Sequence, residues 1–216
     1  MISSKPYQYI KGWVEFYKLK FKVTPDVLIP RPETELLVDA VLNSISEGDV
    51  ILDLGTGAGN IAVSIAKNAP DVEIIATDIS DKALKIARQN ARLYGVEKQI
   101  QFIKSNLLKN LHRKPDIIVT NLPYIPSERI PYLDSSVKDF EPHIALDGGK
   151  DGFDLYRKLF AQIKERGWHP KFIIGEIDYT HGELAILAAQ KYFPNAEVEV
   201  KKDLVKKQRL LIIKSY

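Results

Sequence analysis

The chain predicts a doubly wound α/β fold: a mostly parallel seven-stranded sheet, helices on both faces, and an antiparallel hairpin at the C-terminal end. Two observations carry this. From residue 50 to residue 192, short apolar, β-branched runs alternate with segments of helical period, the pattern of strands joined by crossover helices. After residue 192 the alternation stops. Glu197–Lys201 and Arg209–Lys214 then follow one another with no helix between, as an antiparallel pair would.

The elements follow in order. Residues 1–30 are rich in aromatic and β-branched residues, with Gly12 and Pro25 as punctuation, and Glu15–Val23 suggests a small hairpin. Pro30 and Pro32 close an extended stretch, so 1–30 reads as a hairpin and linker segment and 31–216 as the main domain. Thr34 to Ile45 reads as a helix, because Leu36, Leu37, Ala40, Val41 and Ile45 share a stripe and Glu33 and Glu35 favour its positive end. Gly48 breaks it. Strand Val50–Leu54, helix Asn60–Asn68 and strand Val72–Thr77 come next. Helix Ser80–Tyr94 has Ser80 as its N-cap, a buried face of Leu84, Ala87, Ala91 and Tyr94, and Gly95 at its end. Strands Ile100–Ile103 and Asp116–Thr120 precede a stretch punctuated by Pro123, Pro126, Pro131 and Pro142, too irregular for a regular element. Helix Asp151–Arg166, strand Phe172–Glu176 and helix Thr180–Tyr192 complete the alternation.

Composition removes several classes. With 216 residues one substantial core is expected. No apolar run approaches a membrane span, and Met1-Ile2-Ser3-Ser4-Lys5 lacks the apolar core of a signal peptide, so a cytoplasmic location is expected. There is no cysteine, and His112, His143, His169 and His181 lack ligand spacing, which argues against disulfides and zinc. A formal charge of +3 does not imply stable nucleic-acid binding.

Two strand ends carry candidate chemistry. Leu52-Asp53-Leu54-Gly55-Thr56-Gly57-Ala58-Gly59 ends a strand on a loop whose glycines let the backbone turn tightly and approach a ligand. Asn60 stands where a dinucleotide fingerprint needs its last glycine. Gly-x-Gly-x-Gly with Asp53 inside the strand instead matches S-adenosylmethionine (SAM) sites, with Asp53 expected to face the sulfonium and amino-acid end. This makes the sheet a Rossmann-like methyltransferase fold of the SAM-dependent kind. Asp78 ends the next strand, where an ionised carboxylate accepts from both ribose hydroxyls. Asn106, after the third strand, is placed to accept from the adenine amino group.

The second strand end is Asn121-Leu122-Pro123-Tyr124. An amide nitrogen is a poor nucleophile because its lone pair is delocalised, and a site that accepts both of its N–H groups localises that pair toward a methyl donor. Asn121 offers a side-chain carbonyl and Leu122 a main-chain carbonyl, Pro123 stiffens the loop, and Tyr124 can stack on a planar amide or base. Methyl transfer to a planar nitrogen follows, with proximity and alignment as the main contributions.

These segments resemble the HemK/PrmC protein-(glutamine-N5) methyltransferases. Pro6-Tyr7-Gln8-Tyr9-Ile10-Lys11-Gly12, Val27-Leu28-Ile29-Pro30-Arg31-Pro32-Glu33-Thr34-Glu35, Asn121-Leu122-Pro123-Tyr124-Ile125 and the stretch from Glu141 to Gly152 carry the resemblance. It implies SAM as cofactor and, as substrate, the glutamine of the Gly-Gly-Gln motif in peptide chain release factors. By the same resemblance Gly55 to Gly59, Asp78, Asn106, Leu107 and Asn121 line the cofactor site, Thr34 borders it, and Asn121 to Tyr124 hold the substrate amide. The family usually has Asn-Pro-Pro-Tyr; Leu122 replaces the first proline and keeps its carbonyl. Members normally begin with a helical domain, and this chain starts where that domain would end. A monomer is expected.

The competing expectation is a nucleic-acid methyltransferase acting on exocyclic amines of adenine or guanine, with the base rotated out onto the aromatic ring. Lys201, Lys202, Lys206, Lys207 and Arg209 would then meet phosphates, although such a run is more often the solvated face of a hairpin.

Overall fold

A computed structural model describes residues 5–215. Met1–Ser4, on which part of the leader-peptide reading rests, lie outside the described residues. In chain order the elements are α1 (Tyr7–Lys11), β1 (Trp13–Phe16), β2 (Leu19–Lys22), α2 (Glu35–Leu42), β3 (Val50–Leu54), α3 (Asn60–Asn68), β4 (Glu73–Asp78), α4 (Asp81–Leu93), β5 (Ile100–Lys104) and β6 (Ile117–Thr120). There follow α5 (Ser135–Lys138), α6 (Asp154–Glu165), β7 (Phe172–Glu176), α7 (Gly182–Tyr192), β8 (Glu197–Lys202) and β9 (Gln208–Lys214).

β1 and β2 form a separate antiparallel hairpin, and the main sheet has the order β5-β4-β3-β6-β7-β9-β8. β3 to β7 pair in parallel, whereas β9 runs antiparallel to both β7 and β8. The C-terminal pair extends the sheet past β7 as an antiparallel hairpin: β9 takes the place beside β7 and leaves β8 at the edge. β8 alternates exposed with half-buried positions, as an edge strand covered on one face does.

Both faces of the central strands are covered, so β3 and β6 are buried at every residue. Period-2 alternation sorts their side chains. Ile51, Ile74, Ile117, Val119 and Ile174 face α2 and α3, through Leu37, Val38, Val41, Ile61 and Ile65; Phe16 and Phe21 of the hairpin join the same cluster. Leu52, Ile75, Ile118 and Ile173 face α6 and α7, through Phe153, Tyr156, Leu159, Phe160 and Ala185.

The boundaries differ from sequence expectation mainly at helix starts. Pro32–Thr34 form a 3₁₀ turn, delaying α2 to Glu35, because proline supplies no donor and suits a first turn. Ser80 caps α4 by accepting from Ala83 N at 3.2 Å. The proline-rich stretch is more ordered than expected: 3₁₀ turns at Ser127–Tyr132 and His143–Ala145 flank α5, and Ile125 bridges to Asp147. Among the described residues no helix is long and apolar enough to cross a membrane.

Candidate active site

The strand order reverses between β3 and β6, where ligands of such sheets bind at the carboxyl ends. Leu54 lies opposite Thr120 in the register, and Thr120 Oγ1 donates to the Leu54 carbonyl at 2.6 Å. Residues 55 and 121 therefore leave the sheet side by side. The two candidate loops, distant in sequence, line one cavity.

Gly55, Thr56, Gly57, Ala58, Asp78, Asn106, Leu107, Thr34, Asn121, Leu122 and Pro123 line that cavity; Asp53, Gly59 and Tyr124 do not. The glycine loop is fixed against β4, since Gly55 N and Thr56 N both donate to the Thr77 carbonyl at 2.8 Å. Asp78 accepts from Gly57 N and from Ser80 N, each at 2.9 Å. Those bonds leave each carboxylate oxygen a further lone pair for a ligand hydroxyl. Ile79, Ala83 and Leu107 supply an apolar wall beside it. A carboxylate next to an apolar slot suits a nucleoside, so these residues fit the cofactor expected from the sequence.

Leu107 has φ of 51°, a left-handed backbone uncommon for leucine. Ser105 holds it there: its hydroxyl donates to the Leu107 carbonyl at 2.7 Å and accepts from Asn110 N at 3.1 Å. Gly59 (φ 80°) serves packing, since a Cβ there would stand 3.0 Å from Ala87 of α4.

Asp53 does not face the cavity as expected. Alternation puts it on the α3 side of β3, fully buried beneath the loop. Its Oδ2 accepts from Thr56 Oγ1 at 2.6 Å and from Ala62 N at 3.1 Å, while Oδ1 has no partner among the described residues. It holds the loop to the first turn of α3. Burial pushes its carboxyl up to about 7, against the downward pull of those two donors. The folded state then keeps a proton that the unfolded chain releases near 3.8, so this group's contribution falls as pH rises from about 4 to about 7. Asp53→Asn should flatten that decline in thermal melts run from roughly pH 4 to pH 8; an unaltered slope would exclude Asp53 as its source.

Asn121 is held at its nitrogen. Nδ2 donates to Thr34 Oγ1 and to Glu176 Oε2, both at 3.2 Å. Its side-chain carbonyl and the Leu122 main-chain carbonyl accept no hydrogen bond from the described residues. Two adjacent residues of the cavity lining thus each keep an acceptor without a donor among the described residues. Tyr124 lies behind them, its hydroxyl donating to Glu176 Oε1 at 3.0 Å. That bond ties the ring to the scaffold.

Two components escaped the sequence reading. Glu176, at the end of β7, gathers Thr34, Asn121 and Tyr124 on one carboxylate. Its signal was an acidic residue closing an apolar strand, as Asp78 does. Arg31 pairs with buried Glu141, which also accepts from Ile29 N at 3.1 Å, so two segments 110 residues apart meet beside the cavity.

A family model described as Methyltransferase small domain matches residues 32–131. The release factor glutamine methyltransferase of Streptococcus pneumoniae is 38% identical over 99% of this chain and 76% of its own length. That of Lactococcus lactis subsp. lactis is 37% identical over 98% of this chain and 78% of its own. Among solved structures, the ribosomal protein L11 methylase of Lactobacillus delbrueckii subsp. bulgaricus aligns with TM-score 0.65 and 20% identity, over 90% of this chain and 84% of that one; at that identity the likeness concerns the fold. Sheet order and cavity are those of a class I methyltransferase. Given relatives of such identity along nearly its whole length, the chain belongs to the release factor glutamine methyltransferase family.

Proposed function

We propose that this enzyme transfers the methyl group of SAM to the side-chain amide nitrogen of the Gly-Gly-Gln glutamine in peptide chain release factors. One observation carries the proposal. Asn121 turns its NH₂ end to Thr34 and Glu176, so what it offers the cavity, beside the Leu122 carbonyl, is an acceptor. Two acceptors match the two N–H groups of a primary amide and repel a carboxylate.

When bound, SAM supplies an electrophilic methyl on a cationic sulfur. The chain's residues supply geometry. Asn121 and Leu122 hold the acceptor NH₂ and localise its lone pair toward the methyl carbon. That methyl would pass to the acceptor nitrogen while the C–S electron pair stayed on sulfur, with S-adenosylhomocysteine as co-product. The nitrogen then loses a proton to water, so no strong base is needed. Gly55 to Ala58 and Asp78 hold the amino-acid and ribose parts, and Asn106 with Leu107 the base. The enzyme is expected to act as a cytoplasmic monomer.

Asp78→Ala should raise the SAM dissociation constant about 10- to 100-fold, the range for losing a charge-assisted hydrogen-bond pair. Calorimetry checks this, and unchanged affinity would remove Asp78 from the site. The function itself is tested by transfer of labelled methyl from SAM to a purified release factor, with tRNA, rRNA and DNA alongside. Label on the Gly-Gly-Gln glutamine supports it; label on nucleic acid transfers the enzyme to the rival class.

A further inference from the structure

We propose that Glu176 is the positioning residue that orients Asn121, and through it makes the site selective for an amide. This deepens the function proposed above and rests on it. Glu176 is 1% exposed and receives three side-chain donors from two separate segments. Thr34 Oγ1 donates to Oε2 at 2.7 Å, Asn121 Nδ2 to the same oxygen at 3.2 Å, and Tyr124 OH to Oε1 at 3.0 Å. Its main-chain carbonyl accepts from Tyr156 OH at 2.6 Å, which fixes the strand end.

An asparagine amide is nearly symmetric in shape, so packing alone does not decide whether its oxygen or its nitrogen meets the substrate. An ionised carboxylate decides it. Being acceptor-only, Glu176 attracts the NH₂ end and repels the oxygen, and Thr34, donating to Glu176, adds a second acceptor for the same NH₂. The Asn121 oxygen is thereby turned to the cavity. Were Glu176 neutral, its own O–H could donate to Asn121 Oδ1, the amide would turn over, and an N–H would meet the incoming NH₂. Burial pushes the Glu176 carboxyl above the ordinary glutamate range, while Thr34, Tyr124 and Arg209 pull it back. The groups facing it are Glu33 and Arg209 among charged residues and Tyr124 and Tyr156 among titratable ones. Turnover should therefore decline on the acid side as Glu176 takes up a proton.

The test is Glu176→Gln, which keeps the shape and removes the charge. Its melting temperature and SAM affinity should stay close to wild type. Turnover of release factor should fall about 100-fold, the scale of a misplaced reacting group, and the acid limb of the kcat profile should shift or vanish. Independently of substrate, the Asn121 side-chain amide signals in ¹⁵N NMR, assigned by their absence in Asn121→Asp, should move in Glu176→Gln. They should also titrate with an acidic group in wild type. Should Glu176→Gln fold poorly, Thr34→Val removes one donor and one acceptor of the same network and should lower kcat about tenfold and move the Asn121 amide signals. Wild-type kcat with unmoved Asn121 signals overturns the proposal, as does a loss of kcat matched by equal loss of SAM affinity. A wild-type enzyme that leaves release factors unmethylated overturns the function instead, and the amide signals still decide the role of Glu176.

Discussion

Asn121→Ala should reduce methyl transfer about 10²- to 10³-fold, the cost of deleting one preorganised polar group at a reacting centre, while SAM affinity changes severalfold at most. The side chain lines the cavity, but its two donor bonds go to Thr34 and Glu176, and its free oxygen is the group assigned to the acceptor amide. Nothing in that arrangement grips the nucleoside, for which Asp78, Asn106 and Leu107 are proposed. Single-turnover rates with saturating SAM, beside calorimetry with S-adenosylhomocysteine, separate the two effects. Equal losses in both would place Asn121 in the cofactor half of the cavity and leave the acceptor without its partner.

Gly152→Ala should both destabilise the enzyme, by about 2–5 kcal/mol from backbone strain plus overpacking, and cut turnover far more than surface glycine substitutions do. Gly152 has φ of 79°, and a methyl group there would overlap the Tyr124 carbonyl oxygen and stand 2.7 Å from His181 Cε1. Gly148 repeats the constraint, its added Cβ meeting the Pro123 carbonyl at 2.7 Å. Residues 148–152 thus form the back wall of the Asn121–Tyr124 loop, and anything that thickens the wall pushes the loop forward. Gly167→Ala is the control: φ is 61°, but no atom lies within 4 Å of its added Cβ, so it should lose some stability and keep full turnover. Denaturant melts with kinetics on both variants check this; Gly152→Ala with wild-type kcat would show that the loop does not rest on that wall.

The sequence made the sheet legible because strand and helix periods are local properties, readable within a dozen residues. Asn60–Asn68 and Phe172–Glu176 agree with expectation at both ends for that reason. The stretch from Pro123 to Phe153 was not legible. Its order comes from pairing at a distance, such as Ile125 N to the Leu146 carbonyl and Gly148 N to the Ile125 carbonyl, which no local period announces. Asn121 and Leu122 could be singled out because they end a buried strand. Glu176 carried the same signal of ending a buried strand, but what it holds was not legible, since residues 34, 121 and 124 converge on it only in the fold. Asp53 was within reach: it shares the parity of Ile51, so alternation alone sends it toward the α3 side of the sheet.

The placement of β9 bears on how this molecule is born. β7, whose last residue is Glu176, has β6 on one side, and its other side is filled by residues 208–214. While a ribosome is still synthesising the segment before those residues, that flank is a bare row of amide and carbonyl groups, the kind of template on which neighbouring nascent chains aggregate. β8 emerges earlier yet has no partner to pair with until β9 arrives between it and β7. The sheet is therefore sealed only once residues 208–214 have emerged, and the strand that carries Glu176 is the one left waiting.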